Sequence, residues 1–419
     1  MNNLTTSARD PVCVIVGAGH AAAQLATSLR QKGWGGPIRI IGDEGKLPYQ
    51  RPPLSKAFLT DEVDADSLAI RPAAFYEKHQ IDCIFGRVTS INRNEKTLTL
   101  DDGSEQRYDK LALCTGTRVM PLSIQGIELD GVHDLRSLAD VEGIRQNLPR
   151  TRQAVIIGGG YIGLETAASL RKQGVEVVVL ERAERVLQRV TAPEVSAFYQ
   201  RIHGEAGVAI RTDIAATAIE GDGKVSRVVC TDGSSYAADM VIVGIGVTPN
   251  SELADAAGLE TNNGIVVDEY CQTQDKDIVA AGDCANQWDP QSGQWLRLES
   301  VPNAVEQAKT AAATLCGERS PQTSLPWFWS DQYDVKLQIA GLSRGYDQVV
   351  IRGDDKSGRD FAAFYFKEGK LIGADCVNRP PEFIIAKKLL SQRETPDPAR
   401  FADETIEVKQ LMSGATISG

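Results

Sequence analysis

Two glycine turns, 141 residues apart from Gly17 to Gly158, constrain this chain more than any other feature. The first reads Val14-Ile15-Val16-Gly17-Ala18-Gly19-His20-Ala21-Ala22, and the second Val155-Ile156-Ile157-Gly158-Gly159-Gly160-Tyr161-Ile162-Gly163. Each follows a β-branched run and opens an Ala/Leu-rich stretch, which is the strand–turn–helix setting a dinucleotide fingerprint needs. Alone, either is weak evidence, since a glycine turn between strand and helix is often only a turn. Together they predict two dinucleotides in one chain, and the usual reason to hold two is to pass electrons between them.

The glycines have separate tasks. Gly17 and Gly158 let the strand turn sharply, while Gly19 and Gly160 let the backbone approach a pyrophosphate. Ala22 and Gly163 keep helix and sheet close. The phosphates then rest on a helix N-terminus, whose unpaired N–H groups and dipole favour negative charge. After the second turn, the strand Val175–Leu180 ends at Glu181. A carboxylate there suits the free hydroxyls of NADH and repels the 2′-phosphate of NADPH; nearby Arg182 and Arg185 weigh the other way. After the first turn, Ile38–Gly42 leads to Asp43 and Glu44, either of which suits a ribose hydroxyl.

Chain order predicts an interleaved α/β architecture. Residues 10–118 and 249–324 form one discontinuous dinucleotide-binding domain, and 119–248 form the second. The closing strands end in Thr115-Gly116 and Gly244-Ile245-Gly246, as expected where backbone passes a cofactor. The segment Asp277–Ala285, which contains Ala281-Gly282-Asp283, returns to the first domain. From 325 to 419, aromatic-rich strands with Trp327, Phe328, Trp329 and Phe364 indicate a C-terminal α+β domain. The last dozen residues, ending in Ser413–Gly419, read as a loose tail.

Composition sets outer limits. A chain of 419 residues can build two or three domains. Its net charge of −11 argues against nucleic-acid binding, which needs clustered cations. The first ten residues lack an apolar signal core, and no apolar run approaches the ~20 residues of a membrane span. These features predict a cytoplasmic protein without membrane association. None of the eight cysteines forms a C-x-x-C pair, and no spacing suggests a metal site. Electrons therefore leave without a dithiol.

The motif set G-x-G-x-x-A, Arg51-Pro52-Pro53-Leu54-Ser55-Lys56, Thr115-Gly116, G-G-G-x-x-G-x-E, G-x-G-x-x-P and Ala281-Gly282-Asp283 resembles the FAD-dependent NADH:ferredoxin reductases of oxygenase systems. These are the putidaredoxin-reductase-like and biphenyl-dioxygenase-reductase-like members of the glutathione-reductase superfamily. Glu299–Ala304 and Trp327–Gln332 fit the same group. The resemblance implies two Rossmann-like domains of glutathione-reductase type plus the C-terminal domain. It implies FAD at Gly17, Gly19, Ala22, Asp43, Arg51, Lys56, Thr115, Gly116, Asp283, Val301 and Trp329. It places NADH, as cosubstrate, at Gly158, Gly160, Gly163, Glu165, Glu181 and Gly246. Lys56 and Glu165 would pair where the nicotinamide lands.

Some physical logic for that pair is independent of the family. Pro52 and Pro53 fix their own φ angles and so stiffen the loop that carries Lys56. Glu165 lies five residues past Gly160, early in its helix; the plainer reading is an acid complementing the dipole. The partner implied is a transient [2Fe–2S] ferredoxin serving a cytochrome P450 or Rieske oxygenase, with the reductase a monomer or homodimer. An acidic ferredoxin needs a local basic patch, for which Arg71, Arg297, Lys336 and Arg344 are candidates. Alternatives are a rubredoxin reductase, a monodehydroascorbate-type reductase, an NADH oxidase, or a signalling flavoprotein resembling apoptosis-inducing factor.

Overall fold

The computed structural model describes residues 10–290, 292–395, 397–412 and 416–417. Two compact units share the chain. One comprises Met1–Gln50, Leu68–Arg118 and Thr248–Ser324; the other comprises Arg51–Ser67, Val119–Val247 and Leu325–Gly419.

In the first unit, the apolar run Cys13–Val16 is fully buried and forms the middle strand of a five-stranded parallel sheet. Its neighbours are Ile38–Gly42 and Lys110–Leu113, flanked by Ile81–Phe85 and Ile278–Ala280. Burial on both faces explains why these strands read as continuous apolar runs rather than alternating ones. Helices His20–Gln31 and Val301–Leu315 cover one face through small residues, including Ala22, Ala26, Ala308 and Ala312. Their short side chains let the helices lie close to each other and to the sheet. The opposite face packs Val14, Val16 and Leu113 against Leu98, Leu100, Tyr108 and Val267.

The second unit repeats the plan. Its parallel sheet runs in the order Ala209–Arg211, Glu176–Leu180, Gln153–Ile157, Met240–Val243, Val132–Asp134. The antiparallel strands Ala216–Asp222, Lys224–Cys230 and Ser235–Ala237 supply Ile219, Val225 and Val228 to a core with Val155 and Val241.

This unit also contains the residues after 325, which form a five-stranded antiparallel sheet. Its order is Trp327–Gln332, Val335–Gly341, Lys370–Val377, Phe361–Lys367, Gln348–Gly353. Helix Pro380–Gln392 lays Phe383, Ile385, Ala386 and Leu389 on the sheet. The architecture is the expected α/β pair of dinucleotide-binding domains with a C-terminal α+β domain. The tail expected to be loose is ordered where it is described: Val408–Met412 forms a 3-10 turn because Leu411 is buried in the core under the sheet, Thr416–Ile417 pairs with Glu394–Thr395, and 413–415 and 418–419 lie outside the described residues.

Residues 51–67, read from sequence as part of the first domain, group with the second unit. Polar bonds account for this. Ser55 and Lys56 bond Glu165, Asp61 meets Arg145, and Glu62 meets Lys172. The 325–419 sheet is tied to the same unit through Phe198 against Phe361 (5.2 Å between centroids) and Arg359 on Glu205 (2.9 Å).

Within that sheet Asp375 is fully buried. One carboxylate oxygen accepts from the Tyr365 hydroxyl at 2.6 Å, and Oδ1 has no partner among the described residues. Burial pushes the carboxyl up to about 7. The folded-state value thus lies above the unfolded one. The associated stability is present in full below about pH 4 and is lost as pH rises through 7. Asp375→Asn is expected to melt higher than wild type near pH 8, with the gap closing towards about pH 4. Thermal melts across that range check this; parallel curves would contradict it.

Candidate functional site

The first glycine turn has the shape an anion site needs. Gly17 has φ of 108°, and a Cβ there would stand 2.1 Å from the Cys114 carbonyl oxygen, so only glycine fits. Gly19 starts helix His20–Gln31, no side chain caps that start, and a Cβ on Gly19 would meet nothing within 4 Å. The start of this helix thus has no side-chain cap and leaves room beside its N-terminal glycine, the arrangement that accepts a phosphate. Ala22 is fully buried.

A second helix start adjoins the same region. At Gly282 (φ 88°) a Cβ would come within 3.2 Å of Ala21 and 3.7 Å of Ala304, one residue from each helix's first turns. The Gly282 N–H is fixed by the Gln307 side chain at 2.8 Å. Next to it, the Asp283 carboxylate accepts from Thr117 at 3.4 Å. Val301 opens its helix behind Ser300, whose hydroxyl accepts the Asn303 N–H at 3.2 Å. Thr115 and Gly116 are clipped to Asn250 by three hydrogen bonds: hydroxyl to Asn250 carbonyl (2.6 Å), Asn250 amide to Thr115 carbonyl (2.9 Å), and Asn250 N–H to Gly116 carbonyl (3.0 Å). Asp43 is exposed and pairs with Arg87 at 3.2 Å, whereas Glu44 accepts from Tyr49.

The second turn is built alike. Gly158 has φ of 117°, and a Cβ would stand 2.3 Å from the Gly244 carbonyl oxygen. Gly160 starts helix Tyr161–Lys172 uncapped, with open space at its Cβ position. On Gly163 a Cβ would strike the Gly158 carbonyl at 2.1 Å, which accounts for the third glycine. Gly246 has φ of 123° and open space beside it. Glu181 has a structural part that sequence reasoning did not assign to it. Its Oε2 accepts the Gly159 N–H and its Oε1 the Ala183 N–H, both at 2.7 Å, so the carboxylate also fastens the turn. Arg185 is engaged with Ser196 (2.5 Å) and the Gln188 carbonyl (3.1 Å).

Lys56 and Glu165 meet as expected, at 2.5 Å. Glu165 is only 5% exposed. Its Oε2 accepts from both Lys56 and Ser55 (2.6 Å), and its Oε1 accepts from Ser330 at 2.6 Å. The dipole-complementing reading is thus too small. A buried carboxylate that collects an ammonium and two hydroxyls is a fixed anion and holds its lysine rigidly. Beside it opens a cavity of about 550 Å³ lined by Lys56, Ser169, Lys172, Gln332 and Tyr333 among others.

Other expected residues are placed as follows. Arg51 donates to the Arg136 carbonyl at 2.8 Å. Trp329 is half-buried, 5.6 Å from Trp327 between ring centroids. Arg297 is a poor docking cation, since it is largely buried, pairs with Glu299 at 2.7 Å and donates to the Asp283 carbonyl. Arg71, Lys336 and Arg344 are exposed. All eight cysteines are free, and burial raises the Cys13, Cys114, Cys271, Cys284 and Cys376 thiols. Among the described residues there is no cluster of His, Cys, Asp and Glu able to hold a metal, and no helix long and apolar enough to cross a membrane.

Comparison with known proteins agrees with this geometry. Residues 11–308 match the pyridine nucleotide-disulphide oxidoreductase family and residues 327–412 match the reductase C-terminal family. The chain belongs to the pyridine nucleotide-disulphide oxidoreductases, in the branch that carries this C-terminal domain. It is 44% identical to putidaredoxin reductase CamA of Pseudomonas putida, over 96% of this chain and 97% of that one. A ferredoxin–NAD(P)(+) reductase of Sphingomonas sp is 40% identical, over 96% and 97% respectively. The reductase in the crystal structure of the covalent putidaredoxin reductase–putidaredoxin complex superposes with a TM-score of 0.94 at 43% identity, covering 97% of this chain and 99% of that one.

Sequence reasoning missed Asn250 and Gln307 as braces and passed over His203. Nothing local marks them, because their partners lie far away along the chain. Ser55 and Ser330 stood inside quoted motifs without a role. Gly17→Ala is expected to lose bound flavin and to destabilise the fold by roughly 1–3 kcal/mol. Flavin absorbance and a denaturant melt of the purified protein check this; a yellow variant of wild-type stability would contradict it.

Proposed function

We propose that this chain carries electrons from NADH through FAD to a ferredoxin that supplies a cytochrome P450 or Rieske oxygenase. The observation that carries the reading is the pair of helix starts without a side-chain cap, each behind a positive-φ glycine and each with room beside its N-terminal glycine. The unit with residues 10–50, 68–118 and 248–324 is assigned FAD, held by Gly17, Gly19, Ala22, Asp43, Thr115, Gly116, Asp283 and Val301. The other is assigned NADH, held by Gly158, Gly160, Gly163, Glu165, Glu181 and Gly246. Arg51, Lys56 and Trp329 are assigned to FAD on the family resemblance.

FAD, when bound, accepts a hydride and releases electrons singly, which links a two-electron donor to a one-electron carrier. The protein's part is positioning and charge. Lys56 offers a fixed ammonium to offset negative charge that grows on the hydride acceptor, and Glu165 orients that ammonium. Glu181 accepts ribose hydroxyls and excludes a 2′-phosphate; the engagement of Arg185 elsewhere supports NADH. The free thiols agree with electron exit without a dithiol. The relative captured in covalent complex with putidaredoxin, and the relative named a ferredoxin–NAD(P)(+) reductase, support a ferredoxin as partner. We assign the protein to the cytoplasm, as a monomer or homodimer.

The test is anaerobic NADH oxidation by the yellow protein with cytochrome c as terminal acceptor, with and without a [2Fe–2S] ferredoxin. A large ferredoxin-dependent rise is expected. Fast flavin reduction with no transfer to several ferredoxins would overturn the reading. Glu165→Ala is expected to retain FAD while flavin reduction slows about 100-fold, measured by rapid mixing. Glu181→Gln is expected to cut the NADH-to-NADPH ratio of kcat/KM about tenfold, measured with each coenzyme. Arg344→Glu should slow ferredoxin reduction at low ionic strength and leave flavin reduction unchanged; equal rates would remove Arg344 from the docking surface.

A further inference from the structure

Behind Glu165 lies a run of buried polar groups that the proposed reaction does not use. Ser330 and Gln332 alternate along strand Trp327–Gln332 and so share a face, and His203 comes from helix Pro193–Glu205. All three are at most 1% exposed. The contacts are Ser330 Oγ to Glu165 Oε1 (2.6 Å), Gln332 Nε2 to Ser330 Oγ (3.2 Å), His203 Nε2 to Gln332 Oε1 (2.8 Å) and Tyr333 Oη to His203 Nδ1 (3.0 Å).

Donor and acceptor capacity fixes the direction of every bond. A carboxylate paired with an ammonium only accepts, so Ser330 must spend its one hydroxyl proton on Glu165. Ser330 then accepts from Gln332, which presents its NH₂ to the serine and its carbonyl oxygen to His203. His203 therefore carries its proton on Nε2 and accepts the Tyr333 hydroxyl proton on Nδ1. All four bonds point towards the carboxylate. Chains with one polarity strengthen each member and favour the anion at their end. Burial also pushes the His203 imidazole down to about 4, so the ring stays neutral through the physiological range.

We propose that Ser330, Gln332 and His203 are positioning residues for the Glu165–Lys56 pair, forming an oriented hydrogen-bonded run that fixes the carboxylate rotamer. The two serine hydroxyls take one carboxylate oxygen each, so the Glu165 side chain cannot turn without leaving one of them unpaired. Lys56 is then held from a carboxylate that is itself held. The proposal rests on the assignment of that pair to hydride transfer.

The experiment uses the FAD-loaded protein. ¹⁵N-histidine NMR should show His203 as the neutral Nε2–H tautomer from about pH 8 to pH 5. In Ser330→Ala, Gln332 no longer has to present its NH₂ inward, so the His203 tautomer should become mixed. Glu165→Gln should move the same ring signals although the two side chains do not touch. Rapid mixing of Ser330→Ala with NADH should give hydride transfer slowed about 10- to 100-fold, with NADH affinity changed less than about twofold. Ser330→Thr, which keeps the hydroxyl, should recover most of the rate.

Gln332→Met interrupts the run at a second place and should show the same split between rate and affinity. A Ser330→Ala protein with wild-type hydride transfer and an unchanged His203 tautomer would overturn the proposal. If Glu165→Ala slows flavin reduction and Ser330→Ala does not, the positioning role alone fails. If Glu165→Ala has no effect either, the assignment of the pair falls, and the proposal with it.

Discussion

One buried carboxylate, Glu165, ties together three segments of the second unit. Removing an ion of this size from water costs several kcal/mol, which only close, well-shaped partners offset. Glu165 draws those partners from separate segments: Ser55 and Lys56 from the loop at 51–67, and Ser330 from the first strand of the C-terminal sheet. The helix that starts at the second glycine turn is thereby pinned from two sides. Departure of any one partner would remove part of what offsets the buried charge, so the three segments keep company.

The first unit solves a similar problem differently. Its turn is shaped by backbone and small residues, with Gly17 against a carbonyl and Ala21 and Ala304 beside Gly282. Charge enters through helix starts and through Asp283, and the loop carrying Thr115 and Gly116 is kept in place by the side chain and backbone of Asn250. The two turns thus share a shape while differing in what braces them. Both close against a backbone carbonyl, and the second is fastened in addition by the Glu181 carboxylate.

Legibility in the sequence follows from this contrast. The glycine turns were readable because their geometry excludes other residues at fixed spacing, and the buried strands because their apolar runs are continuous. Glu165 and Lys56 came from the family resemblance; physical logic alone left Glu165 as a helix acid. The loop at 51–67 was placed with its neighbours in sequence, and its bonds to Glu165, Arg145 and Lys172 could not be seen from order alone. Arg297 looked like a surface cation and is instead a largely buried brace on the Asp283 loop. His203 carried no signal, since a histidine inside a helix declares neither its depth nor its tautomer.

The two backbone bonds of Glu181 bear on any attempt to retool coenzyme choice. The obvious exchange, acid for a cation that would welcome a phosphorylated ribose, also deprives the amides of Gly159 and Ala183 of their acceptor. The glycine turn would then relax at the spot where the pyrophosphate must be gripped. On the proposed reading, selectivity and rigidity share one side chain here. A successful redesign has to separate them, by giving the turn a new acceptor before asking position 181 to read a different sugar.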